Sequence, residues 1–421
     1  MHDFPKTAGK SAILYENDPK GRTFFMTGEN TIFLRQAAEI LKEHTGKEPV
    51  SFFRSPGRCE FIGNHTDHQG GHVVAAAIDL AMTAAVSPNG EGILRVFSNG
   101  FSPVSVDLRD LALRPEEKGT TAAFVRGVAA LLTAWGFPLS GFDAAVVSTV
   151  PVGGGFSSSA AFSCLIGTVF NDLCCQNRLT PLQIAQAAQK AETEYFGKPC
   201  GLMDQLACVT GGFAAMDFSD PAAPTVKALS IDLSAHGFTL LAVDTGTSHA
   251  DLTKEYAAIP AEMKKAAAAF GKERLCEVPA GLFFASLAKL QRILPARALT
   301  RAMHYFEEDN RAVKMADALQ QADLPRILSL IHLSGDSSQR LLQNTRPAGA
   351  PAQQGPDFAL ELSRQFCPKG AVRVPGGGFA GSILALVPTE EAEDYIRQME
   401  EVFGAGACRV LTVSFEGAKK L

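Results

Sequence analysis

The sequence predicts an α+β fold in two domains, residues 1–220 and 221–421. Two observations carry the prediction. A chain of 421 residues, 46% of them hydrophobic, holds more core than one compact body usually carries. Apolar stretches with helical spacing also alternate with short strand-like runs along the whole length.

The elements follow in order. Asn30 to His44 reads as a helix, with Leu34, Ala37, Ala38 and Leu41 on one stripe. Phe52-Phe53-Arg54 leads into Ser55-Pro56-Gly57, a turn signal. His72 to Val86 is too continuous for an exposed strand and reads as a buried strand or hairpin. Thr121 to Ala134 reads as a helix, and Phe142 to Val150 as a strand ended by Pro151. An apolar helix then runs to about Asn171, and a second helix covers Leu182 to Phe196. Leu240 to Asp244 is a short strand, while Ala261 to Phe270 and Ala298 to Leu319 are helices with charged faces. Asn344 to Gly355, rich in Pro, Ala, Gly and Gln, reads as a surface loop. Ile383 to Val387 is a strand, Glu390 to Phe403 a helix and Cys408 to Phe415 a closing strand.

Composition excludes several functions. A net charge of -5, spread along the chain without a basic block, argues against a nucleic-acid partner. The longest apolar stretch, His72 to Val86, contains Asp79 and falls short of the roughly 20 residues a membrane span needs. The first residues lack the basic and apolar regions of a signal peptide. Nine irregularly spaced cysteines, without a C-x-x-C pair, point away from disulfides or zinc and toward a reducing, cytoplasmic compartment.

Four glycine-containing segments carry chemistry. In Gly153-Gly154-Gly155-Phe156-Ser157-Ser158-Ser159 the glycines let backbone approach a ligand closely. The serines fall where a helix starts, so free N–H groups and the positive end of its dipole make an anion cradle. A glycine turn with a serine N-cap would read the same way. No Gly-Lys-Ser/Thr closes it, so it is not a Walker loop. Gly57 to Gly71 crowds Asn64, His65, Asp67 and His68 between glycines, side chains suited to vicinal sugar hydroxyls; a polar turn or a metal pair is the competing reading. In Cys200-Gly201-Leu202-Met203-Asp204-Gln205 a carboxylate sits in an apolar helical run, costly unless paired or used. Gly376-Gly377-Gly378-Phe379-Ala380-Gly381 is a further glycine turn.

Together, and in this order, these segments resemble the galactokinase branch of the GHMP kinase superfamily. A fifth stretch, His249 to Tyr256, looks like another segment of that branch, and the resemblance spans about residues 50 to 385. It implies a two-domain GHMP kinase fold with the site in the cleft between domains. The implied activity is ATP-dependent phosphorylation of the anomeric hydroxyl of galactose. The implied catalytic residues are Asp204 and, beside it, Arg58. Asn64, His65, Asp67, Gly201, Tyr256 and Gly378 fall on sugar-contact positions. Gly153, Gly154, Gly155, Ser157, Ser158 and Ser159 match the phosphate loop, with Ser159 and Glu192 as the Mg²⁺ ligands. The partners are then a small sugar and ATP, the protein a cytoplasmic monomer.

The chain departs from the branch in places. Asn64 stands where the family carries Glu, His68 replaces Tyr, Ala380 replaces Gly, and Ser248 stands where Arg is frequent. The family's Glu faces the six-position hydroxyl, so Asn64 would remove a charge that repels a sugar acid. Asp67-His68-Gln69-Gly70-Gly71 and Ser334-Gly335-Asp336-Ser337-Ser338 also resemble galacturonokinases, which makes galacturonate the alternative substrate. A non-catalytic sugar sensor is the alternative of another class, and Arg58, Ser159, Glu192 and Asp204 argue against it.

Overall fold

The computed structural model describes residues 14–17, 23–26, 28–247, 252–347 and 354–421, with side chains from residue 31 onward except that of Thr253. A short ladder of β1 (Leu14–Asn17) and β2 (Thr23–Met26) precedes α1 (Gly28–Thr45). Two long antiparallel strands follow, β3 (Ser51–Ile62) and β4 (His72–Pro88). They anchor an eight-stranded sheet completed by β5 (Ile93–Ser98), β6 (Val104–Asp107), β7 (Phe142–Ser148), β8 (Phe213–Asp217), β9 (Thr225–Leu229) and the last strand of the chain. Between them lie α2 (Thr121–Ala134), α3 (Ser158–Leu173), α4 (Pro181–Lys190) and α5 (Met203–Thr210).

Alternation along the strands decides what covers each face. Ala84, Val86, Ala144 and Val146 pack with the apolar sides of α2 to α5. Their neighbours Ala85, Ala145 and Val147 point the other way, onto Ala37 and Leu41 of α1.

The remaining strands are β10 (Phe238–Asp244), β11 (Ala371–Arg373), β12 (Ser382–Pro388), β13 (Cys408–Leu411) and β14 (Lys419–Lys420). The first four form a second antiparallel sheet in the order β11-β12-β10-β13. Its helices are α6 (Thr253–Ala268), α7 (Ala280–Ala285), α8 (Leu287–Leu290), α9 (Ala296–Gln321), α10 (Leu324–Ser337), α11 (Gly355–Phe366) and α12 (Ala392–Phe403). Leu241, Val243, Ile383 and Ala385 bury against Leu360 of α11 and Tyr395 and Met399 of α12. Leu240, Ala242, Leu384 and Leu386 face the other way and join the same apolar cluster as the first sheet. One core therefore runs through both halves.

The α+β class holds. Several local expectations change. Ser55-Pro56-Gly57 is not a turn but lies inside β3, where the register with β4 shifts between Pro56 and Arg58. An irregular ladder tolerates a residue without an N–H donor. A Cβ on Gly57 would come within 2.8 Å of the Phe156 carbonyl, so glycine brings this strand against the phosphate loop. The helix expected through Phe196 widens into a π-helical turn over Ala191–Phe196. In the expected surface loop, Asn344 and Thr345 are fully buried, and residues 348–353 lie outside the described region.

The closing strand ends at Leu411 rather than Phe415. Beyond it the chain leaves the second sheet and returns to the first. Ser414 N donates to Ala77 O and Ala418 N to Cys208 O. β14 then pairs Lys419 with Arg54 and Lys420 with Phe53 on β3. A boundary at 220/221 would also assign β9 to the second half, although it pairs with β8 of the first.

Candidate active site

The site forms where β3, the glycine-serine loop before α3 and the start of α5 meet. Asp204 occupies the first turn of α5. Its Oδ1 accepts from Arg58 Nε at 2.7 Å, with Nη2 also 2.7 Å away, and its Oδ2 accepts from Ser157 Oγ. Arg58 is buried at 5% exposure and uses its remaining arm to hold the Gly155 carbonyl at 2.6 Å. The lone acid in an apolar segment thus has a paired cation and a hydroxyl donor. Burial raises the Asp204 pKa, but the Arg58 charge, its hydrogen bond and the Ser157 hydroxyl outweigh burial and bring the carboxyl below its ordinary value.

The loop has the backbone its glycines predict. Gly153 and Gly155 take positive φ, and so does Ser157 at +55°, the N-cap of α3. Ser157 does not cap the helix with its side chain, because its hydroxyl is turned to Asp204. The free N–H groups of the first turn of α3 are therefore left for an anion.

Ser159 is the second residue of α3, inside its first turn. Its Oγ donates to Glu192 Oε1 at 2.8 Å. Glu192 sits in the π turn at 1% exposure; its Oε1 also takes Lys198 Nζ at 3.0 Å and its Oε2 takes Gln205 Nε2 at 2.9 Å. A hydroxyl and a carboxylate side by side are hard oxygen donors. That set fits Mg²⁺, which binds through one or two carboxylates with substrate phosphates and water completing its shell.

The remaining predicted positions fall into two groups. Asp67, His65, Gly201, Tyr256 and the 376–378 turn surround the neighbouring space. A Cβ on Gly201 would collide with Asp67 Oδ2, so glycine admits that carboxylate. His65 Nε2 lies 3.3 Å from the Gly377 carbonyl, and Tyr256 OH donates to Gly378 O at 3.0 Å. A Cβ on Gly378 would strike Asn344 backbone, which explains glycine there without a ligand. Burial, together with the neighbouring His68 charge, lowers the His65 pKa to about 3; burial and Lys264 lower that of His68 to about 4. Both rings are neutral at physiological pH.

Asn64 belongs to the second group, and here the expected sugar contact does not fit. Its side chain has no solvent exposure. Nδ2 donates to Glu60 Oε1 at 3.0 Å and to Gly376 O, while Oδ1 accepts from Asn344 Nδ2 at 2.7 Å. Glu60 in turn meets Arg373 at 2.8 Å, and Glu308 accepts from Gly63 N at 3.0 Å and Ser334 Oγ at 2.6 Å. His304 Nε2 lies 2.9 Å from the Asn64 carbonyl. Position 64 is a node of a buried polar network joining β3 to α9, α10 and β11. Ser334, Ser337 and Ser338, part of the galacturonokinase-like string, belong to the same network.

Sequence reasoning missed Lys198, the hydrogen bond from Gln205 to Glu192 and this network. Glu60 could have been found by the argument that found Asp204, since it is an acid between Cys59 and Phe61-Ile62. Arg373 and His304 carry no local signal, because their partners are distant in sequence, and Glu308 joins its neighbour Arg311 to the equally distant Gly63 and Ser334. Ser248, His249 and residues 250 and 251 lie outside the described residues.

Fold and site define a class. The GHMP kinases N-terminal domain matches residues 123–212, which hold the loop, Glu192 and Asp204. The galactokinase galactose-binding signature matches residues 40–88, which hold Arg58 to Asp67. The crystal structure of Lactococcus lactis galactokinase complexed with galactose superposes with a TM-score of 0.79 at 23% identity, covering 92% of this chain and 100% of that one. The galactokinase of Streptomyces coelicolor is 33% identical over 91% of this chain and 97% of its own length. Human galactokinase is 29% identical over 92% of this chain and 96% of its own. The chain belongs to the galactokinase family. Among the described residues no helix is long and apolar enough to cross a membrane.

Proposed function

We propose that this protein is an ATP-dependent sugar kinase that phosphorylates the anomeric hydroxyl of galactose. The observation that carries the reading is the Arg58–Asp204–Ser157 cluster at the N-terminus of α3, with the Ser159–Glu192 oxygen pair at the same first turn. The anomeric oxygen attacks the γ-phosphorus of ATP, the bond to the β–γ bridging oxygen breaks, and ADP leaves. Asp204, ionised beside Arg58, accepts the hydroxyl proton. Arg58 holds that carboxylate in place and adds fixed positive charge beside the transferring group. The backbone N–H groups at the start of α3 hold phosphate oxygens. Ser159 and Glu192 would hold Mg²⁺, which when bound offsets charge on the phosphates. Positioning and electrostatics of this kind supply most of the rate in phosphoryl transfer.

Asp67, His65, Gly201 and Tyr256 are assigned to the sugar. The galacturonate alternative draws on Asn64 and on the strings Asp67 to Gly71 and Ser334 to Ser338; the enclosure of the Asn64 side chain, and the place of Ser334, Ser337 and Ser338 in the same buried network, support galactose instead. We also assign the enzyme to the cytoplasm, in keeping with its nine unpaired cysteines, and read it as a monomer of two domains that divide between β9 and β10 rather than at residue 220. The test is ADP release on a sugar panel containing galactose and galacturonate, with the position of the phosphate read by NMR. Galactose-dependent ADP release with a sugar 1-phosphate product is expected. Its absence overturns the reading, and binding without turnover would favour a sensor.

A further inference from the structure

A cavity of about 540 Å³ opens beside the sugar residues and is not used by the reaction above. Asp67 and Gly201, two of the positions assigned to galactose, line it. From there it runs between α4 and the turn after β8 to Trp135, the single tryptophan of the chain, which is 37% exposed at the C-terminal end of α2. The volume lies within the range of small-molecule sites, about 300–1,000 Å³.

The chemistry of the walls is that of a carbohydrate site. An indole face offers an apolar platform for the C–H face of a sugar ring. Gln186 and Gln189 bring amides: Gln189 Nε2 donates to Cys200 O at 3.0 Å and Gln186 Nε2 to Ala222 O at 3.4 Å, which leaves both amide oxygens as acceptors for hydroxyls. The charges balance. Arg274 is paired with Glu277 at 3.5 Å, so the carboxylate of Asp67 stands against the ammonium of Lys190. A wall without net charge suits a neutral ligand better than a sugar acid.

We propose that this cavity is a second sugar subsite, which takes a neutral hexose joined through a non-anomeric carbon to the galactose that is phosphorylated. The inference rests on the galactokinase reading, because it needs the anomeric hydroxyl at Asp204 and the opposite side of the ring at Asp67. The substrate class it adds is a disaccharide with galactose at its reducing end. The reaction is unchanged: the free anomeric oxygen attacks the γ-phosphorus, Asp204 takes the proton, and disaccharide 1-phosphate and ADP are the products.

The lone tryptophan is a built-in reporter. The experiment titrates the full chain with β-1,4-galactobiose and with galactose, following tryptophan fluorescence, and measures kcat/KM for both sugars. Galactobiose is expected to give a saturable fluorescence change that galactose does not, and to be phosphorylated. Trp135→Ala should lower kcat/KM for galactobiose about tenfold, the scale of one lost stacking contact, with galactose within about twofold. Lys190→Ala, which keeps the reporter, should weaken the galactobiose titration. If galactose is phosphorylated while galactobiose neither shifts the fluorescence nor turns over, the subsite is overturned and the galactokinase reading stands. If galactose itself is not phosphorylated, the galactokinase reading falls and this inference with it.

Discussion

Asp204 and Gln205 are neighbours on α5 that serve opposite sides of the site. Asp204 accepts from Arg58 and Ser157, and Gln205 donates to Glu192 at 2.9 Å. The first turn of one short helix thereby fixes the distance between the proton-accepting carboxylate and the oxygen pair that suits the metal. A shift of α5 would disturb both together.

Asp204→Asn should lower kcat about 10²–10⁴-fold, the scale for a lost general base. The amide keeps the volume of the carboxylate, so galactose should still bind. Turnover and calorimetry on the same preparation separate the two effects, and near-normal turnover would remove Asp204 from the mechanism.

Ser159→Ala should raise the Mg²⁺ concentration needed for half-maximal rate, roughly 10–100-fold, as expected when a supporting contact in a metal shell is lost. Its cost in stability should stay near 1 kcal/mol, the worth of one hydrogen bond. A collapse of melting with unchanged metal dependence would make the serine structural.

Asn64→Glu should act on the fold rather than on sugar choice. It would place a second carboxylate where Asn64 Nδ2 now donates to Glu60 at 3.0 Å, in a region without solvent. The expected loss is about 3–5 kcal/mol, the scale of an uncompensated buried charge. Denaturant melting should show it, with the galactose to galacturonate ratio of specificity constants unchanged. A changed ratio in a normally stable variant would return position 64 to the sugar.

Stability should fall as the solution is acidified below neutrality. The pKa values of His65 and His68 are lowered from 6.5 to about 3 and about 4 in the folded protein. Below pH 6.5 the unfolded chain therefore binds more protons, so folding weakens as pH falls through 6.5 toward the folded values. Glu308 extends the loss. Burial raises its pKa, but Arg311, His304 and Arg373 outweigh that and hold it at about 2 against the ordinary 4.5, so its contribution disappears between those values. His68→Gln should flatten the dependence of unfolding free energy on pH between about 4 and 6.5. An unaltered slope would show that the ring titrates alike in the folded and unfolded chain.

The sequence revealed what local pattern encodes. The helix at Thr121–Ala134 has the expected bounds, the apolar run after His72 is one long strand, and the lone acid of α5 has an arginine and a serine on it. The failures have one cause. Ser55-Pro56-Gly57 carries turn residues, yet the ladder with β4 and the phosphate loop hold it straight. Asn64 was read from its place in a motif, but its side chain answers to Glu60 and Asn344, the latter 280 positions away. Long-range polar pairing leaves no periodicity, and so it cannot be seen from one segment.

The last two-stranded pairing of the first sheet joins Phe53 to Lys420, so residues 419 and 420 are part of the scaffold that carries Arg58 and Asp204. A ribosome that still holds residues 419 and 420 inside its exit tunnel holds an unfinished sheet. The edge of β3 stays open until those residues emerge, so emergence of the first half does not complete the frame. The entropic cost of closing so long a loop grows only logarithmically with length, which makes the late closure affordable.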